Sequence, residues 1–299
     1  MNFPGIQTNE PLARYCTFQI GGPADYFYIL KEIDQLPALI EAAKSANIPY
    51  FIFGTGSNLL FSDAGFRGLV IKIEAQNYSI TDTEITADAG VLISKLLAET
   101  IEKGLSGLEQ WVGLPGTVGA AVRGNAGCNG LEVKDILLEA TLLNPETSQI
   151  HTEKSEYFHF QYRESRLKNS SEIVLQAKFA IKPCQVSPEE QIHQINEIRK
   201  VRLSRQPSGC STGSFFKNPR PDQPAGLLIE QAGLKGFQIG GAQISEKHGN
   251  FFLNKNQASA KDVLALAEHT KAIIKQKFAI DLQTEVQIVP EELAKNSEI

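Results

Sequence analysis

The chain has 299 residues, of which 42% are apolar and 21% charged, so it can bury a core and is not a disordered tail. At roughly 100–200 residues per domain, this length predicts two or three domains. Lys and Arg number 29 against 34 Asp and Glu, a net charge of −5, which argues against a general nucleic-acid binder. A local basic pocket for a small anion stays compatible with that balance.

Targeting and metal-binding signals are absent from the sequence. No apolar run approaches the ~20 residues of a membrane helix, and residues 1–15 lack the apolar core of a signal peptide. The four cysteines form no C-x-x-C pair, and the histidines show no metal-ligand spacing. We therefore expect a cytoplasmic protein with no metal, no disulfide framework, no membrane contact and no nucleic-acid partner.

The first part of the chain alternates strands and a helix. Apolar alternation predicts strands over 25–30, 50–53 and 69–73, and an apolar stripe at helical spacing predicts a helix over 32–46. These elements indicate a small α/β unit that covers residues 1–75.

A second unit is predicted over residues 76–185. Its predicted elements are a hairpin over 79–87, a helix over 91–104, a glycine-rich zone from 104 to 130, and strands over 136–143 and 173–181.

The third predicted unit, residues 186–299, begins with a helix start signal. Ser187-Pro-Glu-Glu190 is typical of a capping box with proline at the first helical position, and the helix is predicted to end near Arg205. Further predicted elements are helices over 225–232 and 259–278 and strands over 237–244, 251–253 and 285–289. The mixture indicates an α+β protein rather than a regular βαβ array.

A first glycine loop, Gly54-Thr-Gly-Ser-Asn58, follows a predicted strand. It is not a dinucleotide fingerprint, because Leu59 stands where the third glycine belongs and no helical pattern follows. Small residues here allow backbone N–H groups to turn towards an anion, since no Cβ at Gly56 would block a phosphate. The alternative is an ordinary turn between two strands.

A second glycine loop is Gly113-Leu-Pro-Gly-Thr-Val-Gly119, followed closely by Asn125-Ala-Gly127. Pro115 fixes a turn, and Gly116 and Thr117 are suited to start a short helix whose first N–H groups face an anion. The two loops together would clamp one pyrophosphate from both sides. The alternative is two unrelated turns.

Gly209-Cys-Ser211-Thr-Gly213 matches the nucleophile elbow of serine esterases. That elbow needs a strand before it and a helix after it. Gln206-Pro207 precedes this motif and Pro219 follows it, so the context argues against Ser211 as a nucleophile.

Three further residues carry possible chemistry. Arg163 is a fixed cation able to bind a carboxylate through two N–H groups, Ser214 lies in a polar loop, and Glu285 heads an apolar strand. Taken singly, each is more typical of a surface arginine, a turn serine and an exposed strand end.

The motifs taken together resemble the UDP-N-acetylenolpyruvoylglucosamine reductase (MurB) family over nearly the whole chain. The pieces that carry the resemblance are Thr17-Phe-Gln-Ile-Gly-Gly-Pro-Ala24, Gly54-Thr-Gly-Ser-Asn-Leu-Leu60, Gly107-Leu-Glu, Gly113-Leu-Pro-Gly-Thr-Val-Gly119, Tyr162-Arg-Glu-Ser165, Gly213-Ser-Phe-Phe-Lys-Asn-Pro219, Leu234-Lys-Gly-Phe-Gln-Ile-Gly-Gly-Ala242 and Thr284-Glu-Val286. Each piece is weak alone, whereas their common order along the chain is specific.

The resemblance implies a two-subdomain FAD-binding fold of the vanillyl-alcohol-oxidase type plus a C-terminal α+β substrate-binding domain. It implies non-covalent FAD, NADPH as reductant, and reduction of the enolpyruvyl ether of a UDP-N-acetylglucosamine substrate in peptidoglycan precursor synthesis. The residues that would hold FAD are Gly54, Thr55, Gly56, Ser57, Asn58, Gly113, Pro115, Gly116, Thr117, Gly119, Asn125 and Ala126.

The resemblance also assigns roles to the three residues with possible chemistry. Arg163 would hold the enolpyruvyl carboxylate, Glu285 would hydrogen-bond as the enol develops, and Ser214 would donate the proton to the α-carbon. The residues that would contact the UDP-sugar are Tyr162, Arg202, Lys217, Asn218 and His248.

The chain departs from the family pattern in two places. Arg123 and Cys128 lie in a segment where many members carry an aromatic residue, and the stretch 162–173 is short, as in the subclass without a long insertion. We expect a monomer. A relative that keeps the flavin pocket but has lost the reaction is the remaining alternative, and the joint presence of Arg163, Ser214 and Glu285 favours the enzyme.

Overall fold

The structure is a computed structural model that describes residues 3–292. Its first part contains the strands β1 (Gln7–Pro11), β2 (Pro23–Leu30), β3 (Tyr50–Phe53), β4 (Leu59–Phe61) and β5 (Phe66–Ile73) and the helix α1 (Leu36–Ser45). Four of these strands form a sheet in the order β1-β2-β5-β3, in which β1 is antiparallel to β2 and the other neighbours are parallel. The tip of β3 therefore delivers the first glycine loop to one edge of the sheet.

The second part is built on an antiparallel sheet. Its elements are β6 (Tyr78–Ile80), β7 (Glu84–Asp88), α2 (Ile93–Glu102), β8 (Leu105–Ser106), α3 (Val118–Gly124), β9 (Gly127–Cys128), β10 (Leu131–Glu132), β11 (Leu137–Asn144), β12 (Gln149–Lys154), β13 (Ile173–Ala180) and β14 (Lys182–Pro183). The sheet order is β12-β11-β13-β7-β6. The short helix α3 packs on β13, which brings the second glycine loop above this sheet.

The third part follows a long polar helix. Its elements are α4 (Pro188–Arg205), α5 (Ala225–Gln231), β15 (Gln238–Ile239), β16 (Ala242–Ile244), β17 (Phe252–Asn254), α6 (Ala260–Phe278) and β18 (Gln287–Val289). Strands β15, β16 and β17 form an antiparallel sheet against which α6 packs. Ser187 caps α4 by accepting a hydrogen bond from the Glu190 N–H at 3.2 Å, which is one half of the predicted capping box, whereas the Glu190 carboxylate accepts from the Gln194 amide instead.

Two elements of the third part pack outside it. The α4 residue Gln191 donates hydrogen bonds to the Leu105 carbonyl at 2.7 Å and to Glu109 at 2.9 Å, so this helix lies on the second part. Strand β18 pairs in parallel with β4, and the fully buried Val289 packs in the core of the first part. The domain boundaries at residues 75 and 185 stay predictions. Helix α4 and strand β18 both follow residue 185 in the chain, yet they pack on the second and the first part, respectively.

The apolar core is shared between the parts of the molecule. One cluster joins the first sheet, through Leu30 and Ile71, to the second sheet, through Phe179, and it includes the buried Trp111. No helix within residues 3–292 is long and apolar enough to cross a membrane. In the same range, no three His, Cys, Asp or Glu side chains group as metal ligands would.

Candidate active site

A cavity of about 1320 Å³ opens where the three parts of the chain meet. Both glycine loops line it, and so do the side chains of Arg163, Ser214 and Glu285. Residues that lie far apart in the sequence are therefore gathered around one space, which is large enough for a ligand of dinucleotide size.

The first glycine loop presents free donors to this cavity. The backbone N–H groups of residues 55–57 donate no hydrogen bond to any part of the chain that the structure describes. The Thr55 hydroxyl is also buried without a hydrogen-bond partner. Buried polar groups of this kind need an acceptor or donor from a ligand, and backbone N–H groups turned inward suit a phosphate.

The two glycine loops touch each other. A Cβ built on Gly54 would lie 2.3 Å from the Thr117 hydroxyl oxygen, and one on Gly116 would lie 3.6 Å from the Ser57 hydroxyl oxygen. The loops therefore share one wall of the cavity, which agrees with a common ligand rather than with two unrelated turns.

The structural reason for Gly56 differs from the sequence expectation. A Cβ built there would meet the Tyr15 carbonyl oxygen at 2.7 Å and the Cys16 Cα at 2.8 Å, and Gly56 has φ +65°. Its missing side chain therefore leaves room for neighbouring backbone and a left-handed turn. The expectation that this Cβ would block a phosphate is wrong.

The second loop starts helix α3 directly after Thr117, as predicted. Two early N–H groups of this helix are engaged within the protein, because Val118 donates to the Val91 carbonyl and Gly119 to the Ala89 carbonyl, both at 2.9 Å. The backbone N–H groups of Gly116 and Thr117 donate to no described residue. An anion at this loop is therefore expected to lie beside residues 116–117.

Two of the predicted cofactor residues do not line the cavity. A Cβ on Gly113 would lie 2.8 Å from the Arg202 Cδ, so this glycine makes room for an arginine that does line the cavity. Asn125 is fully buried at the end of α3, and its amide donates to the Gln161 carbonyl at 2.9 Å and to Glu132 at 3.1 Å. It joins the helix to the 161–164 segment.

Arg163 sits at the tip of a tight hairpin. Gln161 and Glu164 exchange backbone hydrogen bonds of 3.0 and 3.1 Å, which leaves Tyr162 and Arg163 as the two turn residues. Arg163 has φ +57°, a left-handed conformation that a residue with a side chain rarely adopts. Such strain costs on the order of 1–3 kcal/mol and clusters at functional sites.

The Arg163 guanidinium contacts Glu285. Its Nε donates to the Glu285 carboxylate at 2.9 Å, and its Nη2 donates to the Gly127 carbonyl at 3.0 Å. Its Nη1 donates to no described residue, so its N–H groups are available to a ligand. Burial raises the pKa of the Glu285 carboxyl, although Arg163, Lys168 and other nearby cations oppose that shift.

Ser214 is held between two other segments. The Phe215 N–H donates to the Asn250 carbonyl at 2.8 Å, and the Glu285 N–H donates to the Phe215 carbonyl at 2.9 Å. The Asn250 side chain accepts from the Phe216 N–H at 2.9 Å and donates to the Phe216 carbonyl at 2.8 Å. This pairing fixes Ser214 and Glu285 on adjacent backbone segments, and the Ser214 hydroxyl bonds to no described residue.

The elbow motif lacks the structure that a serine esterase needs. Residues 206–224 form neither a helix nor a strand, and the Ser211 hydroxyl accepts from the Gly213 N–H at 3.4 Å within a turn. The esterase alternative is therefore excluded.

The predicted UDP-sugar residues divide into two groups. Arg202 lines the cavity, and its Nη1 donates to the Cys128 sulfur at 2.9 Å. The other four lie outside the cavity lining: Tyr162 is 45% exposed beside the Arg163 guanidinium, Lys217 is paired with Glu164, Asn218 accepts from the Ala225 N–H at 3.1 Å, and His248 accepts from the Asn250 N–H at 3.2 Å. Burial lowers the pKa of His248.

Arg123, Thr212 and Asn250 have no role among the residues predicted from sequence, and Arg123 lies where the chain departs from the family pattern. Arg123 lines the cavity, and its guanidinium forms no hydrogen bond or ion pair with a described residue. Burial lowers its pKa. The Thr212 hydroxyl is buried without a partner beside the same cavity. Arg123 follows the loop residue Gly119 by four positions, a helical spacing that could have placed it on the same face.

Family models match most of the chain. The model of an FAD binding domain matches residues 24–153. The model of the C-terminal domain of UDP-N-acetylenolpyruvoylglucosamine reductase matches residues 206–289. These matches confirm the predicted fold class, an FAD-binding part followed by a C-terminal domain.

Whole-chain relatives agree with the models. The UDP-N-acetylenolpyruvoylglucosamine reductase of Bacillus subtilis is 41% identical over 95% of this chain and 94% of its own length. That of Lachnoclostridium phytofermentans is 38% identical over 96% and 94%, respectively. The crystal structure of the Thermus caldophilus MurB enzyme has a TM-score of 0.80 and 34% identity, and the match covers 95% of this chain and 98% of that one. The chain therefore belongs to the UDP-N-acetylenolpyruvoylglucosamine reductase (MurB) family.

Proposed function

We propose that this chain reduces the enolpyruvyl ether of UDP-N-acetylglucosamine enolpyruvate to UDP-N-acetylmuramate, with NADPH as reductant and FAD as cofactor. The observation that carries the proposal is the contact of Arg163 with Glu285 in a cavity that Ser214 and both glycine loops also line. A carboxylate-binding cation, a buried carboxyl and a hydroxyl donor are the groups that this reduction needs.

The residues present fit FAD. The unpartnered N–H groups of residues 55–57 and 116–117 and the orphaned Thr55 hydroxyl would hold its pyrophosphate. Bound FAD supplies hydride transfer from NADPH to the β-carbon of the enolpyruvyl group. Non-covalent binding is proposed, because the fit rests on hydrogen bonds and shape.

Arg163 and Glu285 act on the substrate carboxylate. As hydride reaches the β-carbon, negative charge spreads from the α-carbon onto this carboxylate, and the Nη1 of Arg163 would bind it more strongly in that state. The Nε bond to Glu285 holds the guanidinium in place, and the Glu285 carboxyl would hydrogen-bond as the enol develops.

Ser214 completes the reduction. Its hydroxyl would give a proton to the α-carbon, so that hydride and proton together saturate the double bond. A hydroxyl is a weak acid, so this transfer requires a fixed position close to a strongly basic carbon. The hydrogen bonds of residues 215 and 216 to Asn250 supply that fixed position.

The remaining assignments concern the nucleotide and the cell. We propose that Tyr162, Arg202, Lys217, Asn218 and His248 contact the UDP-sugar, through movement of the side chains that lie outside the cavity lining. We also propose that the enzyme works in the cytoplasm as a monomer.

The test is the visible spectrum of the purified protein. We expect a flavin absorption band that is released into solution by acid precipitation, bleached by NADPH and restored by UDP-N-acetylglucosamine enolpyruvate under anaerobic conditions. A relative that keeps only the pocket would be bleached and not restored by the substrate. Flavin that stays with the acid precipitate would contradict non-covalent binding.

A further inference from the structure

Lys168 lies against the strained turn that presents Arg163. Its ammonium donates a hydrogen bond of 2.5 Å to the carbonyl of Arg163, the residue with left-handed backbone. The lysine follows this turn in the 3₁₀ segment Arg166–Asn169, and its side chain is only 23% exposed. The roles proposed above do not use Lys168.

The bond from Lys168 has a physical consequence for the turn. A left-handed residue with a side chain is disfavoured by about 1–3 kcal/mol, so the surrounding structure must hold the Arg163 backbone in place. A hydrogen bond from a charged donor to its carbonyl is stronger than a neutral one. Rotation of the peptide group after Arg163 would break this bond, and a turn that is no longer held there would fix less firmly the backbone that carries the guanidinium to Glu285 and the Gly127 carbonyl.

Lys168 has both acidic and basic neighbours. Glu164 lies 4.0 Å from its ammonium, and Lys217, Arg123 and Glu285 also act on it. Burial lowers the pKa of Lys168, but the Glu164 carboxylate opposes that shift. This half-buried ammonium has a fixed partner in the Arg163 carbonyl, which a flexible surface lysine would lack.

We propose that Lys168 is a positioning residue for substrate reduction, which locks the Arg163 turn so that the guanidinium meets the substrate carboxylate. The proposal rests on the function proposed for Arg163. It predicts an effect on the step in which substrate is reduced, with none on flavin binding or on reduction by NADPH.

The test begins with Lys168→Gln and a matched control. Lys277 also donates its ammonium to a backbone carbonyl, that of Ala232 at 2.8 Å, far along the chain in α6. We expect both variants to keep flavin content and the rate of reduction by NADPH within twofold of wild type. Lys168→Gln should slow the anaerobic reoxidation by substrate by about 10-fold or more, since a bond from a charged group is lost. Lys277→Gln should leave this rate unchanged.

A double-mutant cycle decides how Lys168 acts. In an Arg163→Ala background no guanidinium is left to position, so adding Lys168→Gln should change the residual reoxidation rate by less than twofold. Equal slowing in both backgrounds would overturn the proposal, because Lys168 would then act on the substrate directly. Wild-type reoxidation by Lys168→Gln, or loss of its flavin, would overturn it as well. Failure of the proposed function would differ, since substrate would then fail to reoxidise the wild-type enzyme itself.

Discussion

The half-buried carboxyl of Glu285 lies beside a guanidinium, and its desolvation outweighs the pairing and raises its pKa above the ordinary 4.5. The folded protein then holds this proton more tightly than the unfolded chain does. The stability that Glu285 contributes is complete below the unfolded pKa and is lost as pH rises through the raised folded pKa.

Because glutamine does not titrate, Glu285→Gln does not lose stability in this way as pH rises. We therefore expect the difference in melting temperature, variant minus wild type, to become more positive as pH rises through this window. Thermal unfolding at a series of pH values measures it. A difference that becomes more negative with rising pH would mean that the Arg163 pair dominates and the pKa of Glu285 is lowered.

Ser214 and Ser211 offer a direct comparison of two serines in one loop. Ser214→Ala should leave flavin binding and reduction by NADPH nearly intact, because transfer of hydride from NADPH to the flavin needs no acid from the protein. It should slow reoxidation by substrate about 10²–10⁴-fold, the usual effect of losing a positioned acid. Ser214→Cys should retain part of the rate.

Ser211→Ala is the matched control, since its hydroxyl only accepts a turn hydrogen bond. Stopped-flow measurement of the two half-reactions separates the variants. Reoxidation of Ser214→Ala by substrate at the wild-type rate, or loss of this reaction in Ser211→Ala, would contradict the role of Ser214.

The roles of individual residues could be predicted only from several motifs taken together. Arg163, Ser214 and Glu285 each fit a commonplace surface position, and the resemblance of several motifs in order was needed to single them out. The contact between Arg163 and Glu285 is long-range, so no local spacing predicts it. Asn250 shows no signal in the sequence, because a buried asparagine that clamps a neighbouring backbone looks like any loop asparagine.

At the scale of elements, the closeness of the two glycine loops is directly testable. Gly54→Ala would place a Cβ 2.3 Å from the Thr117 hydroxyl oxygen and 2.8 Å from its Cγ2, so the loops must separate. We expect weaker FAD binding in a flavin titration. Thr117→Ala in the same chain removes both atoms and should restore part of the affinity.

Unchanged flavin affinity in Gly54→Ala would show that the loops tolerate separation. A failure of Thr117→Ala to restore any affinity would place the damage elsewhere than in this contact.

Periodicity predicted the helices well. Those predicted over 32–46, 91–104 and 259–278 are observed as α1, α2 and α6, each shortened by one to four residues at an end. Strand β12 escaped prediction because its polar residues are mostly exposed at the edge of the sheet, so they carry no apolar alternation. The predicted strand over 285–289 forms as β18, but its pairing with β4 depends on tertiary packing.

At the scale of the whole molecule, β18 joins the C-terminal part to the first part through its pairing with β4. Val289 is fully buried there, whereas its neighbour Ile288 is 42% exposed. Val289→Ala should lower the free energy of unfolding by about 2 kcal/mol, because it leaves a cavity in the core. Ile288→Ala should change it by less than about 0.5 kcal/mol.

Denaturant unfolding measures both variants. Substrate reduction should also slow in Val289→Ala, because Glu285 lies in the segment that leads into β18. Equal stability losses in the two variants would contradict the assigned burial of β18.

The pairing of β18 with β4 also means that the substrate site is completed late in translation. Strand β4 leaves the ribosome early, whereas its partner and Glu285 emerge only after nearly all other described residues have been translated. A nascent chain that ends before residue 285 has no carboxyl beside Arg163. Reduced flavin on such a chain would meet no complete substrate site, so the reaction with substrate begins only once residues 285–289 have been released.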